Sequence, residues 1–447
     1  MRDRYLWVGC ALYTVVFTLL GAQKYAVHRN LVDFGIFEQT VASAFGCFCN
    51  PLEGSHWAFH FSPILFAVGG AVGFAHSPIT LVALQALAGA LCAPPVYALV
   101  RARSDAGTAR LAATAVWLYP PLAGLTFGDF HENGFAPAAV VWALYGFDTG
   151  RFRTAAVAVL AAVAVKEDQA CFLAFAGVAG AIAYRSDPFR RNFALGVAAV
   201  SAVVALAFFG WIQPHADANP HWQPSRFYAW TSVDAAALLP RGILERFGFL
   251  LLVFVPLAFL PLRTAAIVVA VPPLVEVLAS RMSTTYTLGS HYAGAWIGYV
   301  LYAFAAGAAG VGNAAVRRRA VGWALALCVL ELVVADPLHP GINLRLRQPR
   351  DAALDTALAG LPRDASVATQ EEAYTHLALD DPSATLLPER ASTPLRACFA
   401  LIDRAFPDSP RLVEYGGALQ SLVSDGRYAL VARRGGIEFY RSVNGCP

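Results

Sequence analysis

Charge is scarce in this chain. Charged residues make up 14% of its 447 residues while 57% are hydrophobic, against roughly 25% charged in an ordinary soluble domain. That balance excludes a soluble globular protein and predicts one built into a lipid bilayer. A large excess of either sign is missing too: Lys and Arg total 33 against 30 Asp and Glu, a net of +3. The basic residues come as short clusters between apolar runs, so no nucleic-acid footprint is present and that partner class is set aside. Among the 8 cysteines there is no CxxC pair and no zinc-finger spacing, which argues against a disulfide-rich module and a structural zinc site. No small-residue cleavage site closely follows the apolar stretch Leu6 to Leu20, which therefore reads as a retained first helix behind Arg2 and Arg4. A Gly-rich phosphate loop, a nucleotide-binding domain and an internal repeat are likewise missing.

What is present is a succession of apolar runs. A membrane-crossing helix needs about 20 apolar residues, with a range of roughly 17 to 25. The runs 5–22, 77–100, 110–128, 133–149, 152–168, 169–184, 192–212, 243–262, 264–280, 292–314 and 320–335 predict an all-α polytopic membrane bundle of about eleven transmembrane helices. The run 61–75 opens with Ser62-Pro63 and contains Gly69-Gly70, which suits an interfacial or re-entrant segment. With that segment not crossing, Arg2/Arg4, Arg101/Arg103/Arg110, Arg151/Arg153, Arg185/Arg190/Arg191, Arg263 and Arg317/Arg318/Arg319 all fall on one side. The excess of basic residues in cytoplasmic loops then puts the N-terminus inside and the C-terminus outside. The 10 histidines fall on or near the outer side.

Beyond residue 336 the composition shifts to Asp, Arg, Pro and Ser. This predicts a transmembrane domain over 1–335, with outer loops 23–76 and 213–242, and a small extracytoplasmic α/β domain over 336–447. Strands are expected at Ser366–Thr369, Ala384–Leu387, Phe399–Ile402 and Tyr428–Ala432, with a hairpin through Arg433–Gly436 into Ile437–Tyr440, and a helix at Asp351–Leu361. Cys398 and Cys446 both belong to this part, where an oxidising exterior permits a disulfide.

Ionisable residues at membrane depth are costly, so each is a functional candidate. Asp33 and Glu38 sit in the apolar, aromatic stretch 30–39, where Asp33 could serve as a general base or simply as a helix N-cap. Asp129, His131 and Glu132 share the short connection 128–134 and could ligate a divalent cation, grip sugar hydroxyls, or form a polar turn. Lys166, Glu167 and Asp168 lie between two apolar runs, where the lysine could neutralise a phosphate or pair with its neighbours. His56 and His60, Arg226, and His291 within Gly289–Tyr292 form a looser group, with Glu276 as a further candidate for the same cavity.

The succession DFGIFEQ (33–39), HFSP (60–63), DFHENGFAP (129–137), KED (166–168) and GSHY (289–292) resembles the prokaryotic membrane family named domain of unknown function 2079, over about residues 5–315. Glu38 stands where Asp is usual, and DFHE where DFHP is common. That family in turn is similar in layout to the GT-C superfamily of integral-membrane glycosyltransferases, of the lipid A aminoarabinose and protein O-mannosyl transferase type. The resemblance implies transfer of a sugar from a polyprenyl-phosphate donor to a glycan, lipid or protein acceptor, outside a bacterial or archaeal cytoplasmic membrane. It implies Asp33, Asp129 and Glu132 as catalytic residues and Lys166, Arg226 and His291 as donor phosphate ligands. Glu38, His60, His131, Glu167 and Asp168 would support them, with a divalent cation at Asp129, His131 and Glu132 as an optional cofactor. A rival is a transporter or lipid flippase using the same charges as a relay, and a third is an assembly protein that tolerates Asp33→Asn.

Overall fold

The computed structural model describes residues 3–216, 228, 233–362, 365–390 and 392–445, the side chains of 233–241 excepted. Arg226, His221, Cys446 and half of the 213–242 loop lie outside the described residues.

The expectation of about eleven membrane-spanning helices is corrected. Among the described residues three helices are long and apolar enough to cross a membrane: Arg4–Ala26, Ile79–Arg101 and Pro188–His215. The other apolar runs are cut short, and the causes are local. Pro120-Pro121 divides the run 110–128 into Ala106–Trp117 and Pro120–Phe127, because proline cannot continue a helix but starts one well. The run 152–168 stops at Val163, and a new helix opens at Glu167. The run 264–280 forms a 3-10 segment, Ala265–Ala270, followed by Val271–Ala279. The run 292–314 begins as the 3-10 turn His291–Ala295 and becomes α-helical over Ile297–Gly310. Ile64–Ala75 is a helix of 12 residues, shorter than a membrane span.

The chain divides into two compact units. The first comprises Met1–Leu19, Trp57–Ala67 and Leu81–His339 and is helical. Small residues let its helices approach closely. A Cβ on Gly177 would meet Ala194 O and Ala198 of the helix Pro188–Ala207, and one on Gly298 would meet Pro137 O and Val140.

The second unit comprises Leu20–His56, Val68–Thr80 and Pro340–Pro447. Its strands are β1 (Cys49–Asn50), β2 (Gly54–Ser55), β3 (Val367–Thr369), β4 (Thr385–Leu386), β5 (Phe399–Asp403), β6 (Tyr428–Arg434) and β7 (Ile437–Ser442). The last five form one sheet in the order β4-β3-β5-β7-β6, parallel on the β3 side and antiparallel on the β7 side. Gly435 and Gly436 close the β6–β7 hairpin with φ of 59° and 96°, the geometry of a two-residue turn that needs positive φ at both positions. Alternation along β5 splits the core. Ala400 and Ile402 face Tyr415, Leu419 and Leu422 of the helix Leu412–Ser424, while Leu401 faces Leu354 and Leu358 of the helix Pro349–Ala359. Cys398 is disulfide-bonded.

The helix Val32–Ala42 docks on the segment after β3 through two residues of the first motif. Gln39 Nε2 donates to the carbonyls of Asp381 and Ala384 at 3.1 and 2.9 Å, and Gln39 Oε1 accepts from the Tyr374 hydroxyl. Gly35 lies against the Tyr374 ring, which an added Cβ would overlap. Gln39→Leu therefore strands buried polar groups, and a stability loss of about 1–3 kcal/mol is expected, read as a lower unfolding midpoint or faster proteolysis of the C-terminal part. A disulfide joins Cys47 to Cys49, a closer spacing than that of a CxxC pair.

Candidate functional site

In the first unit the third and fourth motifs meet at helix starts. Lys166 has an extended backbone (φ −165°) at the N-cap of the helix Glu167–Ala183, with Glu167 and Asp168 in its first turn. Acidic residues suit the positive end of a helix dipole, whereas a lysine there is disfavoured unless anions surround it. They do: Lys166 Nζ lies 3.9 Å from Asp168 Oδ2, and the charges of Glu167 and Glu132 and the hydroxyl of Tyr292 also act on it. Its side chain is only 8% exposed, in a chain whose other cations, Lys24 apart, are all arginine. Glu167 is fixed from the HFSP motif, with Oε1 2.9 Å from His60 Nδ1 and Oε2 accepting from the Phe61 N–H at 2.9 Å.

Three imidazoles complete the group. His131 stacks on His291 with centroids 3.9 Å apart and planes 7° apart, and His60 lies 6.5 Å from His131. Glu132 is fully buried, and neither of its oxygens makes an aligned hydrogen bond among the described residues. Glu276 interacts electrostatically with Asp168 and Lys166, which places it with this group as expected. Asp129 is half-buried in the same connection, two positions ahead of His131. The structure thus gathers His60, His131, Glu132, Lys166, Glu167, Asp168 and His291 from segments far apart in sequence. Such a set of buried cation, imidazoles and carboxylates can bind an anion and exchange protons with it.

Asp33 and Glu38 belong to the second unit. Asp33 is half-buried in the first turn of Val32–Ala42, and the cap position is held by Leu31, so the N-cap reading of Asp33 is corrected. Glu38 is fully buried on the same helix.

Asp129, His131 and Glu132 do not come within ligand spacing as a set of three. Among the described residues the group that does is His28, Asp355 and His376, in the second unit. His28 Nε2 lies 2.9 Å from Asp355 Oδ1, and the His28 and His376 rings are 4.0 Å apart. Burial pushes both imidazoles below their ordinary range, His28 to about 4 and His376 to about 3, so both are neutral at pH 7.

The sequence pattern of a family described as predicted membrane protein (DUF2079) matches residues 27–438. The chain belongs to that family. No curated protein matches this DUF2079 member in sequence. The solved structure of ArnT from Cupriavidus metallidurans in the apo state is similar to it, with a TM-score of 0.51 at 13% identity over 96% of this chain and 98% of that one. The Archaeoglobus fulgidus oligosaccharyltransferase tethered with an acceptor peptide matches at a TM-score of 0.37 and 12% identity over 98% of this chain and 74% of that one, too loosely to argue from. At 13% identity the likeness to the ArnT structure is one of fold.

Sequence reasoning missed the residues that hold the DUF2079 motifs in place. Gln85 Nε2 donates to the Leu125 and Thr126 carbonyls at 3.0 and 3.2 Å, and Gln85 Oε1 accepts from the His131 N–H at 3.1 Å. Gln169 Nε2 donates to Ala295 O at 3.4 Å while Gln169 Oε1 accepts from the Tyr299 hydroxyl at 3.3 Å, tying the lysine helix to the His291 turn. An amide amid an apolar run was the available signal for Gln85, and an amide directly after the KED motif for Gln169. Gly289 has φ +83° and rests on Gly124, which explains the glycine of GSHY. Gly294 sits where a Cβ would overlap the Asn133 carbonyl. Gly294→Ala is expected to push the His131 and His291 turns apart and cost about 1–3 kcal/mol, measured as a drop in unfolding midpoint.

Proposed function

We propose that the protein is an integral-membrane, inverting glycosyltransferase that moves a sugar from a polyprenyl-phosphate carrier to a hydroxyl of a glycan, lipid or protein outside the cytoplasmic membrane. The observation that carries this reading is buried Lys166 at a helix N-terminus, gathered with His60, His131 and His291 among Glu132, Glu167 and Asp168. A desolvated cation at the positive end of a helix suits a lipid-linked phosphate, and a fixed array of donors stabilises charge growing on a leaving group without reorganising.

In the proposed reaction the acceptor oxygen bonds to the anomeric carbon as the anomeric carbon–oxygen bond to phosphate breaks. The acceptor proton passes to Asp33, and polyprenyl phosphate departs. Lys166 and His291, with Arg226, take the phosphate charge. Asp129 and Glu132 orient the sugar through its hydroxyls. Glu167 and His60 hold the lysine helix against the HFSP segment, while Asp168 balances Lys166, His131 backs His291, and Glu38 steadies the Asp33 helix. No step is routed through a metal. The proposal includes an N-terminus on the cytoplasmic side and a C-terminal domain outside.

The test is incubation of the purified protein in nanodiscs with a panel of sugar-labelled polyprenyl phosphates. Transfer or donor hydrolysis supports the reading. Silence across the panel, with lipid or solute movement in matched liposomes, overturns it in favour of a transporter.

A further inference from the structure

We propose that His28, Asp355 and His376 bind a divalent transition-metal ion of the zinc type, and that the ion clamps the turn ahead of the Asp33 helix to the C-terminal sheet domain. All three residues lie in the second unit, and the inference stands apart from the glycosyltransferase reading.

The first observation is the backbone at His28. The helix Arg4–Ala26 ends in a Schellman motif, with Arg29 N–H donating to Lys24 O at 3.1 Å and His28 N–H to Tyr25 O at 2.9 Å. The left-handed position of that motif is usually glycine. Here it is His28, at φ 56°, so a side chain is kept where it strains the backbone. What the strain secures is the placement of the ring.

The second is the state of the ring. His28 is fully buried, and neither nitrogen makes an aligned hydrogen bond among the described residues although Asp355 Oδ1 is 2.9 Å from Nε2. A buried imidazole without such bonds is costly in a protein core. Bonding to a shared metal ion satisfies it.

The third is the tautomer of His376. Its Nε2 lies 3.1 Å from the Tyr25 carbonyl, which can only accept, so Nε2 carries the proton and Nδ1 keeps the lone pair. Ligating histidines characteristically donate their other nitrogen to a carbonyl or carboxylate in this way. Asp355 is held on Oδ2 by Arg347, which fixes the carboxylate and leaves Oδ1 towards His28. The donor atoms lie within 4.8 Å of one another, a span that small side-chain rotations close onto one ion at about 2.0–2.2 Å. Two imidazoles and one carboxylate, with water as fourth ligand, suit zinc.

The experiment is metal analysis of the full-length protein in nanodiscs, loaded with Zn2+ and dialysed. The wild type is expected to keep about one zinc per chain and to unfold at a higher temperature than after chelation. His28→Gln and His376→Gln should keep none, whereas His131→Gln should keep the wild-type amount. Because the His28 variant could misfold, Co2+ is also bound to the wild type, where intense visible bands that Zn2+ abolishes are expected. Background zinc in the wild type together with no such bands overturns the proposal, and so does zinc that survives His376→Gln but is lost in His131→Gln.

Discussion

Lys166→Met is expected to cut sugar transfer by about 10²–10³-fold, the usual effect of removing one preorganised donor to a charge that grows in the transition state. Methionine keeps much of the volume and removes the cation. The loss should appear mainly in kcat, because the phosphate carries more charge when leaving than in the bound donor. Lys166→Arg keeps the charge but swaps a point cation for a rigid fork at a site only 8% exposed, so a partial recovery is expected. The bland reading, mutual ion pairing of Lys166 with Asp168, predicts something else. Under it Lys166→Met lowers stability, Asp168→Asn compensates, and activity follows the folded fraction. Initial rates at matched folded protein, read beside thermal unfolding, separate the two.

Asp33→Asn is expected to lower transfer by about 10²–10⁴-fold, the range for loss of a positioned general base. Leu31 holds the cap, and the charge of Asp33 acts on Val32–Ala42 through the helix dipole, an effect of about 0.3–1 kcal/mol. The amide keeps the shape and gives up only the charge. A large rate loss with an unfolding midpoint within a degree or two of wild type fits the base; full activity in Asp33→Asn removes it and favours an assembly role. Donor hydrolysis without acceptor should be affected less by Asp33→Asn than by loss of Lys166, since leaving-group stabilisation does not depend on the acceptor proton.

The motifs were legible in the sequence because chemistry restricts residue type. Lys166, Glu167, Asp168, His60, His131 and His291 stood out as ionisable groups in apolar surroundings, and the structure brings them together. The C-terminal sheet was legible as well, since alternation in Phe399–Asp403 and the Gly435-Gly436 turn are local signals. Helix length was not. Hydropathy sums a run without noticing that Pro120-Pro121 restarts the helix, or that the chain leaves helical geometry between Val163 and Glu167 to present a lysine. Long-range partners were equally hidden. Nothing near Gln39 in sequence announces the Asp381 and Ala384 carbonyls, and nothing near His28 announces Asp355 and His376. The Cys47–Cys49 link was hidden for another reason, since its spacing of two is tighter than that of a CxxC pair.

The central claim is that the Lys166 group receives the phosphate of a lipid-linked sugar. Its most direct test is equilibrium binding of polyprenyl phosphate, the proposed product, to wild type and Lys166→Met in nanodiscs, with the neutral polyprenol as control. The account predicts that the wild type binds the phosphate at least about tenfold more tightly than the alcohol, a difference of about 1.4 kcal/mol, and that Lys166→Met binds the two alike. Equal binding of phosphate and alcohol by the wild type, or a phosphate preference that survives Lys166→Met unchanged, would contradict it.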